Sequence, residues 1–594
     1  MKRLRRWQVW QLFAVLRRAA PGMARSWWVL ILLRGALPAA FAVTMGRLVT
    51  DVQQGRSLTG PLVVVGLVFV AMQSLGPVHD ALSSNLGATA SSWLHDRLLD
   101  ASLGPPGLAH LEDPRLADRL SSARDFDLGL SGPSMVITMP NIGGGLAALA
   151  GGAAQAVLLV GFAWWAPLLV GGAWLSTHRL LRAGAMWLQR TSPAVMEQQR
   201  KADYAYRLVV TSPAAKEVRL FGLADWVVGG FTSLRRHLMD QSWAARRLHW
   251  RPTALAVVLI ITANGIFFWS LARGAVDGSV GVGSLVVFAQ AAIGASALAF
   301  GELDWWLRTT AQTIPQVLDL LDDMATSGEL PSGDKPANDR PRDSIRFEGV
   351  GFAYPRSAHR VFDDFDLTIQ AGQSLAIVGQ NGAGKTTLAK LLCRMYDPDT
   401  GRIVVDGVDL RDFELASWRR RVAAVFQDYV RYELSLRDNV APGGAPDEVI
   451  ASALADARAE HLAELDTILA KAYDGGTDLS GGQWQRVALA RALAAVRVGA
   501  GIVLLDEPTA QLDVRGEAEI FERLIEATRG CTTILISHRF STVRRADRIC
   551  VVERGRVIEE GTHDELIALG GRYETMFELQ ASRFDDDPNL EAQP

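Results

Sequence analysis

Apolar residues follow two different rules along this chain. Through roughly the first 300 positions they gather in runs long enough to cross a bilayer core, separated by polar stretches. Beyond about residue 343 the runs shorten to strand length and alternate with amphipathic stretches, the pattern of buried strands between helices. The first region divides into six expected membrane spans. The first runs from about Trp27 to Val49, and the second from about Leu62 through Met72, continuing as a more polar helix toward Leu99. The third covers Ser134 to Phe162, and the fourth begins after Trp164-Trp165-Ala166-Pro167 and runs past Leu181. The fifth is centred on Ala254 to Leu271 and the sixth on Val280 to Phe300. Gly143-Gly144-Gly145 and Gly151-Gly152 offer surfaces on which helices can approach closely.

Between spans the chain keeps a helical period while losing its apolar character. The second span is followed by His95-Asp96-Arg97-Leu98-Leu99-Asp100 and by His110-Leu111-Glu112-Asp113-Pro114-Arg115-Leu116-Ala117-Asp118-Arg119. The fourth is followed by Gln198-Gln199-Arg200-Lys201-Ala202-Asp203-Tyr204 and by Ala215-Lys216-Glu217-Val218-Arg219-Leu220-Phe221-Gly222. These segments are too polar for lipid, so helices are expected to leave the membrane, turn, and return. Near the sixth span stand Glu302 and Asp304, with Arg308 spaced to pair with Asp304. A structural or interfacial role is the first expectation for the acids, and lining a cavity for a polar or cationic substrate the second. Arg273, beside Gly274, is expected at the outer interface.

Charge and composition refine this picture. Lys2, Arg3, Arg5 and Arg6 precede Trp7, Val9, Trp10, Leu12 and Phe13, and Arg17 and Arg18 follow. The pattern fits a basic amphipathic helix on the membrane surface and lacks a signal peptide's compact apolar core. An even number of spans puts both termini on one side, and the basic end makes that side cytoplasmic. A net charge of −3 argues against a nucleic-acid partner. The three cysteines, Cys393, Cys531 and Cys550, have neither metal-ligand spacing nor a disulfide framework. A chain of 594 residues exceeds one core, so several domains are expected.

The sharpest chemical signal follows the apolar strand Leu375-Ala376-Ile377-Val378. It reads Gly379-Gln380-Asn381-Gly382-Ala383-Gly384-Lys385-Thr386-Thr387 and leads into the helical Leu388-Ala389-Lys390-Leu391-Leu392. Strand, glycine-rich loop, Lys-Thr and helix make a P-loop. Glycines let backbone N–H groups close on phosphate oxygens, and the helix N-terminus adds positive potential there. Lys385 can reach the β- and γ-phosphates, and the Thr386 hydroxyl can ligate Mg²⁺.

Downstream, Leu479-Ser480-Gly481-Gly482-Gln483 precedes Trp484-Gln485-Arg486-Val487-Ala488-Leu489-Ala490-Arg491-Ala492. On these residues the C-terminal part resembles the nucleotide-binding domain of an ATP-binding cassette (ABC) transporter. The resemblance implies that Ser480, Gly481, Gly482 and Gln483 contact the γ-phosphate of ATP held by a second subunit's P-loop. It further implies that Asp506, ending Ile502-Val503-Leu504-Leu505-Asp506, holds Mg²⁺ and that the adjacent Glu507 is the general base toward the attacking water. Strand alternation points these two acids to opposite faces. Gln427 matches a glutamine that contacts Mg²⁺ and water, His538 a histidine that contacts the γ-phosphate, and Asp513 an aspartate that crosses the dimer. Tyr354 sits where the family stacks an aromatic on adenine, although an isolated strand-end tyrosine more often packs.

The layout resembles an exporter-type half-transporter of the type IV fold over nearly the whole chain. The expected fold is a multidomain membrane protein, an all-α six-helix transmembrane domain followed by an α/β P-loop domain. Its parts are a surface helix over 1–24, the membrane domain over 25–325, a linker over 326–343, the nucleotide-binding domain over 344–582 and a tail over 583–594. Residues 216–222 correspond to a coupling helix that, in the family, docks mainly on the partner's nucleotide domain. One departure stands ahead of the signature: the chain reads Ala472-Tyr473-Asp474-Gly475-Gly476-Thr477-Asp478 where many exporters carry Thr-x-x-Gly-Glu-x-Gly. The acidic contact there is absent or moved to Asp474 or Asp478. No peptidase domain precedes the spans, so leader processing is not expected.

The implied partners are a second half-transporter, with a homodimer expected because every catalytic position is intact, the lipid bilayer, and a small-molecule or peptide substrate. The expected activity is ATP-driven export of a small peptide or hydrophobic, drug-like molecule across a bacterial inner membrane, with the nucleotide domain cytoplasmic. Lipid flipping and import of a siderophore-like cargo are alternatives within the fold. A membrane-anchored regulatory ATPase, or a soluble ABC ATPase of translation or DNA repair, would be a different class.

Overall fold

A computed structural model describes residues 2–127, 134–180, 193–245, 250–299, 301–508 and 514–585; a few side chains within helices, among them those of Glu302 and Arg308, lie outside the described set. The chain forms two compact units, one of residues 1–99 and 118–321, the other of residues 100–117 and 322–594.

The first unit is helical. It contains α1 (Lys2–Ala19), α2 (Pro21–Gln53) and most of α3 (Thr59–Leu103). The short α4 (Ala109–Glu112) belongs to the second unit, and α5 (Pro114–Asp127) returns the chain to the first. Then come α6 (Met135–Leu158), α7 (Ala166–Leu180), α8 (Pro193–Val210), α9 (Ser212–Leu220), α10 (Ala224–Ala245), α11 (Trp250–Val276), α12 (Val282–Gly294) and α13 (Glu302–Ser327). Among the described residues, five helical stretches are long and apolar enough to span a bilayer: Pro21–Gln53, Thr59–Leu103, Met135–Gly161, Trp250–Val276 and Val282–Leu307. The fourth expected span is described only over Ala166–Leu180, and its continuation past Leu181 lies outside the described residues. The sixth is interrupted: α12 ends in a tight turn at Ala295–Leu298 before α13 begins.

Small residues set the helix spacing. A Cβ on Gly35 of α2 would stand 2.6 Å from the Ala150 Cβ of α6, and one on Gly46 would stand 2.6 Å from the Gly283 carbonyl of α12. Close backbone approach of this kind substitutes for the hydrophobic drive that lipid cannot supply. Trp27 is fully buried between helices, while Leu32, Leu67, Val258 and Ile261 face outward, as expected of helices solvated by lipid tails.

The second unit carries two sheets. The antiparallel one has the order β2–β1–β4–β5, built from β1 (Ser344–Ala353), β2 (Arg360–Gln370), β4 (Thr400–Val405) and β5 (Val408–Asp409), with β3 (Ser374–Val378) and α14 (Lys385–Leu392) between β2 and β4 in sequence. The larger sheet has the order β10–β9–β3–β8–β7–β6. Its strands are β6 (Val422–Val425), β7 (Ile502–Asp506), β8 (Thr532–Ile536), β9 (Arg548–Glu553) and β10 (Arg556–Gly561), and all but the edge strand β10 run parallel. β7 and β8 are buried at every residue, which explains their unbroken apolar sequence. One core lies around Val487, Leu505 and Val551, the other around Phe347, Ile377 and Trp418.

Residues 328–343 are linker-like in composition but are fastened along their length. The Ala337 N–H donates to Ser417 Oγ (2.8 Å), Lys335 pairs with Asp412 (3.0 Å), and the fully buried Arg394 guanidinium reaches the Pro331 carbonyl. Asp406 accepts from the backbone N–H groups of Arg342, Asp343 and Ser344 and from Arg340. Its burial works against ionisation, and these hydrogen bonds outweigh it, holding the carboxyl below the usual range. Polar residues here serve as fasteners, which composition alone does not distinguish from solvated loop.

Candidate active site

Parallel strands aim their carboxyl ends the same way, so residues just beyond β3, β6, β7 and β8 gather at one edge of the larger sheet. Each was singled out in the sequence for a different reason. Gly379 to Gly384 leave β3 and turn into α14, Gln427 follows β6, Asp506 ends β7 with Glu507 next, and His538 follows β8.

The loop after β3 requires glycine at two points. Gly384, the N-cap of α14, has φ +102°, and a Cβ there would meet the Phe362 ring at 2.7 Å. Gly379 would place a Cβ 2.2 Å from the Val552 carbonyl. Lys385 Nζ folds back over the loop, donating to the carbonyls of Gly379 (2.8 Å) and Gln380 (3.0 Å). Burial lowers the Lys385 pKa, and Glu507 and Asp506 pull it back upward. Thr386 Oγ1 donates to Asp506 Oδ2 at 2.8 Å. Burial raises the Asp506 pKa; the Thr386 bond opposes that shift, and the neighbouring Glu507 adds to it.

The two acids are separated by more than strand alternation. β7 ends at Asp506, and Glu507 turns out of the strand at φ +52°, a left-handed conformation costly for a side chain with a Cβ. The turn is held from both sides. The Glu507 N–H donates to the Ile536 carbonyl (2.9 Å), and the Glu507 carbonyl accepts from Gln485 Nε2 (3.3 Å). The carboxylate accepts from Gln427 Nε2 at 3.1 Å and meets His538 Nδ1 at 3.1 Å. Gln427 and His538 thus converge on the Glu507 carboxylate, while Thr386, Lys385 and Asp506 form a second polar group. Gln485 belongs to the signature run, and its amide faces back toward β7, a relation between helix and strand that sequence spacing does not display.

Tyr354 hydroxyl and Thr387 Oγ1 are 3.0 Å apart. The Tyr354 ring packs edge-on against Tyr396, and Lys390 Nζ lies 5.2 Å from its centroid. Lys390 and Tyr396 are both gripped by Glu112 of α4: Nζ donates to Glu112 Oε1 (2.6 Å) and the tyrosine hydroxyl to Oε2. Burial lowers the Lys390 pKa, but the Glu112 carboxylate and Tyr354 more than reverse it. The buried Asp113 pairs with Arg356 (3.1 Å), and Arg419 reaches the Pro106 carbonyl (2.6 Å). The polar excursion after the second span therefore reaches, through Glu112, the side chains around Tyr354. Its outward half was legible in sequence; its partners were not.

Replacing Glu112 with alanine should cost about 1 kcal/mol of local docking, since the charge-assisted bonds it loses are half-exposed. The amides of Gly107 and Leu108, which donate to the Gly328 and Met395 carbonyls, should then exchange roughly fivefold faster by hydrogen–deuterium exchange. Unchanged protection there would mean Glu112 does not hold the segment.

Ser480 caps α15 (Gly481–Arg497) in a reciprocal box: its hydroxyl accepts from the Gln483 N–H (3.4 Å), and Gln483 Oε1 accepts from the Ser480 N–H (2.8 Å). Among the described residues, the hydrogen bonds of Ser480 and Gln483 stay local. Ahead of the cap, Asp478 accepts from the Leu479 N–H (2.9 Å), and Asp474 is exposed. Asp513 lies outside the described residues.

The residues fit a nucleoside triphosphate and a hard cation. Gly382, at φ +84°, has open space where a side chain would stand, Lys385 supplies ammonium donors, and Thr386 and Asp506 place a hydroxyl beside a carboxylate. A loop of this build on a parallel sheet, in a chain that also holds long apolar helices, defines a membrane-associated P-loop protein. Residues 362–510 match the family described as "ABC transporter". The protein named "ATP-dependent lipid A-core flippase" in Alkalilimnicola ehrlichii is 43% identical over 244 residues, 40% of this chain and 41% of that one. "Subtilin transport ATP-binding protein SpaT" of Bacillus subtilis is 27% identical over 396 residues, 64% of this chain and 63% of that one. The matched stretches thus span less than two thirds of these relatives' length. A solved structure described as "Structure of a bacterial Atm1-family ABC exporter with ATP bound" shares the fold, with a TM-score of 0.68 over 96% of this chain and 100% of that one at 23% identity. The similarity to the ABC transporter family is thus carried by residues 362–510, and the likeness of the whole chain to the solved structure is one of fold.

Proposed function

We propose that two copies of this chain form an ATP-driven exporter that works by alternating access in a bacterial inner membrane. The observation that carries this reading is the division of the site. Lys385, Thr386, Asp506, Glu507, Gln427 and His538 meet at one sheet edge, while the signature cap at Ser480 keeps its bonds to itself and its donor-rich end uncommitted to that edge. A second copy would bring its cap to this chain's P-loop, which makes dimerisation a requirement of catalysis.

In this reading Lys385 and the loop N–H groups hold phosphate oxygens, and Tyr354 stacks on adenine. Thr386, Asp506 and Gln427 hold Mg²⁺, which when bound neutralises phosphate charge and orients the terminal phosphoryl group. Glu507 polarises the attacking water, and His538 orients the carboxylate and reaches the γ-phosphate. By resemblance, Asp513 would cross the dimer seam. ATP favours the closed pair by its differential affinity for it, and the cytoplasmic turns carry closure to the spans. One turn is α4; the other is the end of α9, where Leu220 and Phe221 stand 78% and 66% exposed, apolar surface suited to a partner's nucleotide domain.

A small peptide or an amphipathic, drug-like molecule is the favoured cargo. Lipid flipping is the second reading, favoured by the relative named a lipid A-core flippase. ATPase activity in lipid nanodiscs should rise severalfold with at least one member of a panel of peptides, drugs and lipids. Vesicles with the nucleotide domain outside should accumulate that compound with ATP. Turnover indifferent to every compound would favour a regulatory ATPase, and a detergent mass showing two different chains would reject the homodimer.

A further inference from the structure

Within the helical unit lies a cavity of about 560 Å³ whose wall includes Arg34, Asp80, Asn141, Gly144, His178 and Asp304. That is the size of a small-molecule site, but its polar lining is unusual for the interior of a helical membrane domain. The polar groups are arranged from behind. Trp27 Nε1 donates to Ser83 Oγ (2.9 Å), and Ser83 Oγ donates its single hydrogen to the His79 carbonyl (2.6 Å). Ser83 Oγ therefore has only lone pairs for His79 Nε2, 3.4 Å away, which favours the tautomer with its proton on Nε2. In that tautomer His79 Nδ1 is an acceptor and receives Arg34 Nη1 at 3.1 Å, and the same Nδ1 lies 3.3 Å from Asp80 Oδ1, so imidazole, guanidinium and carboxylate meet at one point. The imidazole cannot shift: it is fully buried, and its Cε1 stands where a Cβ on Gly143 would be 2.5 Å away.

This fixed imidazole holds Arg34 by one nitrogen only. The same Nη1 reaches Asp80 at a loose 3.4 Å, and the Asp80 side chain is 55% exposed. Among the described residues, the other Arg34 N–H groups make no hydrogen bond. Arg–carboxylate pairs are frequently bidentate, and this one is not. Here the fork is anchored at one prong, and Asp80, which touches both Arg34 and His79 through Oδ1, still lines the cavity.

We propose that this cavity binds the zwitterionic polar end of an amphipathic cargo, with Arg34 taking the anion and Asp80 the ammonium. The proposal rests on the transport reading and names the chemistry of its cargo. Peptide termini and a phospholipid headgroup share that chemistry.

The test uses the full-length protein in nanodiscs and the tripeptide Leu-Leu-Phe, free, N-acetylated, as its methyl ester, and doubly blocked. The free peptide should bind at least tenfold more tightly than either singly blocked form. Arg34→Gln should erase the penalty for esterification and keep that for acetylation, and Asp80→Asn should do the reverse. Displacement of the peptide by dihexanoylphosphatidylcholine and not by its phosphatidylglycerol counterpart would extend the site to lipid headgroups. No displacement, with the peptide preferences intact, would assign it to peptide termini. Gly144→Leu guards against misfolding of the charge variants, because a Cβ at Gly144 has nothing within 4 Å and its side chain would fill the cavity. It should abolish peptide binding, whereas leucine at the equally open Gly172, outside the cavity lining, should not. Equal binding of all four peptides, uniform shifts in both charge variants, no saturable binding, or full binding by Gly144→Leu would each overturn the proposal. Failure of the transport reading would show separately, as ATPase activity that no compound in the broader panel alters.

Discussion

Glu507→Gln is expected to bind ATP with near-normal affinity, to lose hydrolysis by about 10²–10⁴-fold, and to accumulate as a closed dimer in ATP. The amide keeps the size of the carboxylate and can still meet Gln427 and His538, which lie 3.1 Å from its two oxygens. What disappears is the capacity to accept a proton from water. The backbone should tolerate the change, because the left-handed turn is held by the Ile536 carbonyl and the Gln485 amide and not by the side chain. Single-turnover phosphate release and the proportion of dimer by size-exclusion chromatography in detergent measure both effects. Undiminished hydrolysis would remove Glu507 from the role of base and leave the carboxylate as an orienting group. Gln485→Leu supplies a contrast: it removes a hold on the same turn while leaving the carboxylate in place.

The sequence and the structure agree most closely where one local signal fixes one local geometry. The P-loop reads directly from its glycines, because two of them occupy positions a Cβ would block. The apolar runs at 375–378 and 502–506 read as buried strands because both lie inside a parallel sheet. Their neighbour relations follow from pairing between distant segments, and no local pattern carries those. The same limit hid the partners of Glu112, which lie 278 and 284 positions away. Glu507 illustrates a subtler gap. Strand alternation anticipates that it and Asp506 point apart, but the chain accomplishes this with a left-handed residue after the strand has ended. Sequence allows Asp304 two roles, and in the structure it lines a cavity, while Glu302 and Arg308 have side chains outside the described set. The sixth span read as continuous because its composition is uniformly apolar; the turn at Ala295–Leu298 depends on packing against α6 and α7, where Leu298 meets Gly152 and Gly171.

Lys385→Ala should act one step earlier than the Glu507 variant, lowering ATP affinity by roughly 10²-fold and hydrolysis at least as much, in keeping with the few kcal/mol that a desolvated charge-assisted contact contributes. Among the described residues, Lys385 Nζ donates to the Gly379 and Gln380 carbonyls, so neutral acceptors position the ammonium. Burial disfavours that charge, and the nearby Asp506 and Glu507 restore part of the preference for it. Removing the amine leaves the two acids facing the phosphates without their cation, so the loss should exceed that of one hydrogen bond. The variant should still fold, because Gly384 and Thr386 keep the turn into α14 and its bond to Asp506. Titration with a fluorescent ATP analogue, alongside far-ultraviolet circular dichroism, separates lost binding from lost structure. In the double variant Lys385→Ala with Glu507→Gln, the closed dimer should fail to accumulate at ATP concentrations that trap Glu507→Gln alone. If it accumulates equally, phosphate is being held by the loop N–H groups without the lysine, and the division of labour between loop and ammonium must be redrawn.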